Sequence, residues 1–180
     1  MKNLIHNYTG ASLQELKQKY GTGSSGFHEQ GWYKNENFYT EKPEAGVYEI
    51  YFDEKENNMT STEQKARMKE DFDFTHLAIL AEAILEHYKN TGERLMENWY
   101  SRVNEVVSDG SHVCIGFFGS GGLYVYHYWD DGRDGYLGLS AARKSEDTGN
   151  SETLEDRILK LEEFKRSVLT KIKLCQKILN

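Results

Sequence analysis

Residues 98–143 read NWYSRVNEVVSDGSHVCIGFFGSGGLYVYHYWDDGRDGYLGLSAAR, and their apolar period is two rather than 3.6. Four short runs, 99–107, 112–118, 123–129 and 136–143, are parted by turn signals: Asp109-Gly110, then Gly119-Ser120-Gly121-Gly122, then Asp131-Gly132-Arg133-Asp134-Gly135. Asp-Gly between alternating runs is a hairpin signal, because both central residues of a tight hairpin turn need positive φ. Consecutive hairpins predict an antiparallel meander rather than a doubly wound sheet.

Working outward, Val47-Tyr48-Glu49-Ile50-Tyr51-Phe52 follows the lone proline, Pro43, and is β-branched and aromatic, which predicts a fifth strand. Thr60-x-x-Glu63 is a capping box for a long helix over 63–90. Met68, Phe72, Leu77, Leu80, Ala81, Ile84, Leu85 and Tyr88 recur there at helical spacing, and Gly92 closes the helix. Residues 1–46 read as an irregular arm with a short helix capped by Ser12-x-x-Glu15, a Gly/Ser loop at 21–26 and many aromatics. Residues 152–180 are expected to form an amphipathic helix with acids in its first half and Lys165, Arg166, Lys171, Lys173 and Lys177 in its second, a polarity that suits the helix dipole. The expected fold is α+β: a long helix packed on one face of an antiparallel four- or five-stranded meander, spanning 47–143, plus a separate C-terminal helix.

Lys and Arg number 22 against 29 Asp and Glu, a net charge of −7, which excludes a globally basic nucleic-acid coat. Twelve Tyr argue against disorder throughout. Cys114 and Cys175 are too few for a disulfide framework, and no run approaches the ~20 apolar residues of a membrane span, so a reduced, cytoplasmic protein without a membrane segment is expected.

Closing the hairpins symmetrically pairs Val107 with His112, Phe118 with Leu123, and Trp129 with Tyr136. One face then carries Val113, Ile115, Phe117, Tyr124, Tyr126 and Tyr128, apolar enough to lie under the helix. The other mixes rings with small residues, and Trp99, His112, Trp129, Gly138 and Ser140 become candidates for a ligand groove. The same register sets Glu105, Cys114 and His127 in one row about 5 Å apart. A thiol beside an imidazole oriented by a carboxylate is the arrangement that activates a cysteine nucleophile. The leading expectation is a non-enzymatic binding or protein-interaction module for a protein or small-molecule ligand; the rival is a small cysteine-dependent enzyme using those three residues.

No metal or cofactor motif is complete. Asp130, Asp131 and Asp134 lack the alternating spacing and bidentate Glu of a calcium loop, and His28-Glu29 lacks a second His four residues on. Thr91-Gly92-Glu93-Arg94-Leu95, Arg102, Gly116-Phe117, Gly122-Leu123 and the run from Leu137-Gly138 to Ala142-Arg143-Lys144 together resemble a set of small bacterial proteins with no assigned function. The likeness covers about residues 45–144 and implies that helix and meander form one unit; it implies no site or activity.

A helix over 152–179 would be about 40 Å long at ~1.5 Å per residue, longer than strands of about 20 Å can cover. Leu154, Leu161, Val168 and Cys175 fall on one seam and Ile158, Ile172 and Leu179 on the other, which predicts a homodimer contact through 152–179.

Overall fold

A computed structural model describes residues 2–145 and, beyond them, Lys165. The expected C-terminal helix and the homodimer contact through it lie outside the described residues.

The strands are β1 (Lys2–Tyr8), β2 (Gly46–Asp53), β3 (Asp73–Phe74), β4 (Tyr100–Val106), β5 (His112–Gly119), β6 (Gly122–Tyr128) and β7 (Leu137–Lys144). The helices are α1 (Leu13–Tyr20), α2 (Ser61–Arg67) and α3 (Leu77–Thr91). All seven strands join one sheet in the order β1-β2-β7-β4-β5-β6, with β3 beside β7. No described helix is long and apolar enough to cross a membrane.

The meander expectation is overturned. Residues 98–143 contain a parallel pair, Tyr100 with Leu137 and Ser101 with Gly138, so the sheet is mixed. After β6 the chain does not turn back to pair Trp129 with Tyr136. It crosses beneath the sheet and enters between β4 and β2, where β7 runs antiparallel to β2. The outer edge of β6 goes to the N-terminal segment instead. His28 donates its N–H to Leu123 O (2.8 Å), and Leu123 donates to Gly26 O (2.9 Å). The next step uses side chains: Val125 N–H donates to Gln30 Oε1 (3.0 Å) and Trp32 Nε1 donates to Val125 O (3.1 Å).

The single helix expected over 63–90 is two. Thr60 and Glu63 form the capping box, but α2 stops at Arg67 and the chain turns at Asp71, whose φ is +67°. Residues 73–74 then pair as β3 with Ala142 and Ala141, alongside the stretch of β7 that β4 has left. A new helix starts at Leu77 because Glu105, on β4, receives the Leu77 N–H with both carboxylate oxygens (2.9 and 2.8 Å). A carboxylate on the first free amides of a helix satisfies an orphan donor and meets the positive end of the dipole.

Residues 77–85 of α3 are buried on every side. One face packs on β4 and β5 and another on α1 and β1. The sheet surface beneath offers Val103, Val113, Ile115, Leu123 and Val125, each 0% exposed. On the reverse face a second core joins Tyr51, Phe74, Leu139 and Ala141, with Met68 and Phe72 over them. The sheet is therefore covered fully on one side and partly on the other.

Residues 2–45 are part of this body rather than an irregular arm. β1 is an edge strand in register with β2, and Tyr8, Leu13, Leu16 and Phe27 are core residues. A buried carboxylate fastens them. Glu82 of α3, 0% exposed, accepts the Thr9 N–H (2.9 Å), the Thr9 hydroxyl (2.7 Å) and Lys19 Nζ (3.3 Å), and His6 Nε2 stands 3.4 Å away. Burial alone would raise this carboxyl, but the nearby His6 imidazole and hydrogen bonds from Thr9 and Lys19 overcome it and hold it at about 2 against an ordinary 4.5. The folded state thus favours the ionised form. Its contribution, at most about 3 kcal/mol, is present above pH ~4.5 and is lost as pH falls towards 2. In urea titrations from pH 7 to pH 2.5, Glu82→Gln should be less stable at neutral pH and should lose most of the acid-limb slope of the wild type.

Candidate functional site

Where side chains meet on β5 and β6 depends on one irregularity. Gly119 pairs with Gly122 as symmetric closure requires, but Gly116 pairs with Tyr124 and Cys114 with Tyr126, one residue out of step. The slip is absorbed at Gly116 (φ +154°) and Phe117 (φ +45°), where Phe117 N–H leaves the ladder and donates to Trp99 O (3.0 Å). Gly116 has little choice of side chain: a Cβ there would stand 2.2 Å from Trp99 O and 2.7 Å from Tyr100 Cα.

Because side chains alternate, a one-residue slip exchanges the faces. Val125 joins Val113 and Ile115 in the core, while Tyr124, Tyr126 and Tyr128 pass to the reverse face with Cys114. The expected row of Glu105, Cys114 and His127 does not form. His127 pairs with Val113, and its Nδ1 lies 2.8 Å from Ser111 Oγ. Glu105, beyond a second irregularity between Arg102 and Val106, caps α3 and contacts His76 Nδ1 at 3.2 Å. Cys114 is 1% exposed, its Sγ faces His112 O at 3.7 Å, and burial pushes the thiol up to about 12.

The groove candidates do not leave an open groove between them. Ser140 is buried, donating its N–H and hydroxyl to Ser101 Oγ (2.7 Å each). Gly138 is covered by the Trp99 ring; a Cβ on it would meet Trp99 Cε3 at 2.8 Å. His112 lies against Phe74 with Nδ1 2.9 Å from Val103 O. Trp129 is 60% exposed on the far loop.

What the reverse face does assemble is a cup. Tyr100, Phe117, Tyr126, Tyr128 and Tyr136 wall a hollow of about 140 Å³, with Cys114, Leu137 and Asp134 completing its lining. Tyr100 meets Phe117 at 4.6 Å and 35°, Tyr126 at 6.2 Å and 35°, and Phe117 meets Tyr136 at 5.9 Å and 63°. The first two pairs are tilted and the third is edge-on, so the rings do not form one parallel stack. Burial pushes the Tyr100 phenol up to about 12, so it stays a neutral wall. Two larger hollows, of about 380 and 450 Å³, are lined mainly by charged and polar chain such as Asp53, Glu93, Arg94, Glu36 and Glu105. They bring no comparable set of side chains together.

The far wall is carried by the 129–136 loop, and Arg102 fixes that loop. This 0% exposed guanidinium donates through Nη2 to Trp129 O (3.2 Å) and Gly132 O (2.7 Å), and through Nη1 to Met59 O (3.1 Å) and Gln64 Oε1 (2.7 Å). Gln64 passes the link on, its Nε2 donating to Glu56 O (2.9 Å), Leu137 O (2.9 Å) and Gly138 O (3.0 Å). Tyr136 is then held by its backbone, its N–H on Asp134 Oδ1 (2.7 Å) and its carbonyl on the Tyr100 N–H (2.7 Å).

Sequence reasoning had Tyr126 and Tyr128 under the helix and passed over Tyr100, Phe117, Tyr136 and Arg102 as site residues. The signal that could have found them is Gly116 inside an otherwise apolar strand, a mark of a bulge. Among the described residues no cluster of His, Cys, Asp and Glu could hold a metal ion. No family model, curated protein or solved structure matches the chain.

Gly116→Ala should lower stability by about 3 kcal/mol, seen as a lower urea midpoint at unchanged m-value. In a Cys175→Ser background, Cys114 should resist iodoacetamide at pH 8 in the native protein and react at once in guanidinium; rapid native labelling would contradict its burial.

Proposed function

We propose that the protein is a non-enzymatic binding module whose site is the aromatic cup. One observation carries this reading: five rings from three strands and a loop converge on a hollow that the described side chains leave unfilled. Tyr126 and Tyr136 are 51% and 63% exposed there, and large apolar surface gathered in one place marks an interaction site. The group at its floor, Cys114, is a protonated and enclosed thiol, which suits a wall and not a nucleophile.

A dry apolar cavity of about 150 Å³ accepts a benzene-sized molecule, whereas drug-sized ligands need ~300 Å³ or more. The cup therefore suits one compact group, either a small molecule or the head of a larger one. A reducing cytoplasm fits the reading, since it leaves the thiol free. Self-association through 152–179 is proposed on the expected helix length and its apolar spacing.

The test is a panel of benzene-sized probes, including phenol, toluidine and tetramethylammonium, added to isotope-labelled protein. Amide shifts should concentrate at residues 114–117, 126–128 and 134–137. Removing one wall with Tyr136→Ala, a change on the exposed surface, should weaken the best probe about tenfold. Shifts elsewhere, or none at millimolar probe, would exclude the cup as a binding site.

A further inference from the structure

We infer that the group the cup takes is a quaternary ammonium head, carried by a small soluble molecule. This rests on the cup being the binding site and adds the ligand's charge and chemistry.

Aromatic faces carry negative quadrupole charge, and several rings around one point attract a cation held between them. Asp134 adds a full negative charge to the lining; its Oδ1 accepts the Tyr136 N–H, and its Oδ2 has no hydrogen bond to a described residue. The protein's net charge of −7 points the same way.

An anion finds no cationic group in the lining, only tyrosine hydroxyls as side-chain donors. The nearest cationic group, Arg102, is fully buried and outside the lining, and its four hydrogen bonds all go to neutral carbonyl oxygens. Its remaining N–H, at Nε, is enclosed and unpartnered, so a ligand cannot reach it. The guanidinium repels a second cation, and the nearby Asp130 offsets part of that charge. One ring of the cup already holds a cation: Arg102 Cζ stands 6.0 Å from the Tyr128 centroid.

Among cations, the lining selects by hydrogen bonding. A primary ammonium or guanidinium would lose water from several N–H donors, and the side chains of the lining offer in exchange one carboxylate and otherwise only tyrosine hydroxyls. A quaternary nitrogen has no N–H and loses little. A small carrier is favoured over a chain because neither larger hollow shares a lining residue with the cup.

The experiment is calorimetry or amide-shift titration of the full chain with choline and with 3,3-dimethylbutan-1-ol, its uncharged counterpart of equal shape. Choline should bind at least tenfold more tightly. Asp134→Asn, whose amide oxygen can still accept the Tyr136 N–H, should weaken choline about fivefold and leave the alcohol unchanged. A third arm uses a short peptide carrying trimethyllysine. Equal affinity for choline and the alcohol would overturn the cation assignment and leave the cup as an apolar site. Binding of neither would overturn both readings, and a preference for the peptide over choline would overturn the small-molecule source.

Discussion

A single buried guanidinium determines what the reverse side of the sheet can be. Arg102 gathers the carbonyls of Met59, Trp129 and Gly132 and the amide of Gln64, and Gln64 gathers Glu56, Leu137 and Gly138. Three chain segments distant in sequence thereby share one polar node between β4 and β7. A buried carbonyl stripped of its donor costs about 1–3 kcal/mol, so the node is far more expensive to break than any one of its bonds suggests. No carboxylate among the described residues lies within 4 Å of Arg102, so fixed dipoles rather than an ion pair solvate the charge. That choice matters for geometry: four acceptors set the loop's path, whereas one carboxylate would leave it loose.

The same node explains why the parallel pair escapes sequence reading. Asp131-Gly132-Arg133-Asp134-Gly135 has hairpin composition, and nothing local says that its carbonyls are claimed by a strand thirty residues earlier. Local signals were legible wherever local groups decide. Both capping boxes form at Ser12 and Thr60, Gly92 closes α3 with φ +74°, the turn glycines stand at 110 and 122, and a strand covers 47–52. Signals failed where the partner is remote. The start of α3 depends on Glu105, and the edge of β6 is covered by residues 26–32. The Tyr side of β6 was misplaced for a different reason: a period of two predicts faces only as long as pairing is unbroken, and one bulge reverses every later assignment.

Phe117 gives the bulge its cost and its use. A bulky residue at φ +45° is strained by about 1–3 kcal/mol, which the fold sustains because the ring is held between Tyr100 and Tyr136. The helix-covered side of the same strands shows no such exception. It is packed with β-branched and aliphatic side chains, and the polar group buried beside it, Glu82, is ionised and fully hydrogen-bonded.

The position of β7 between β2 and β4 has a consequence for biosynthesis. A ribosome delivers β1, β2 and β4 to β6 before residue 137 is made, and each set can pair on its own: β1 with β2, and β4 with β5 and β6. Until β7 emerges, β2 and β4 each present a bare edge, the feature that natural sheets most often conceal against intermolecular pairing. Vectorial synthesis and assembly therefore run together only as far as β6. Strand β7 must be inserted between two edges that already exist, and neither half of the sheet is complete without it.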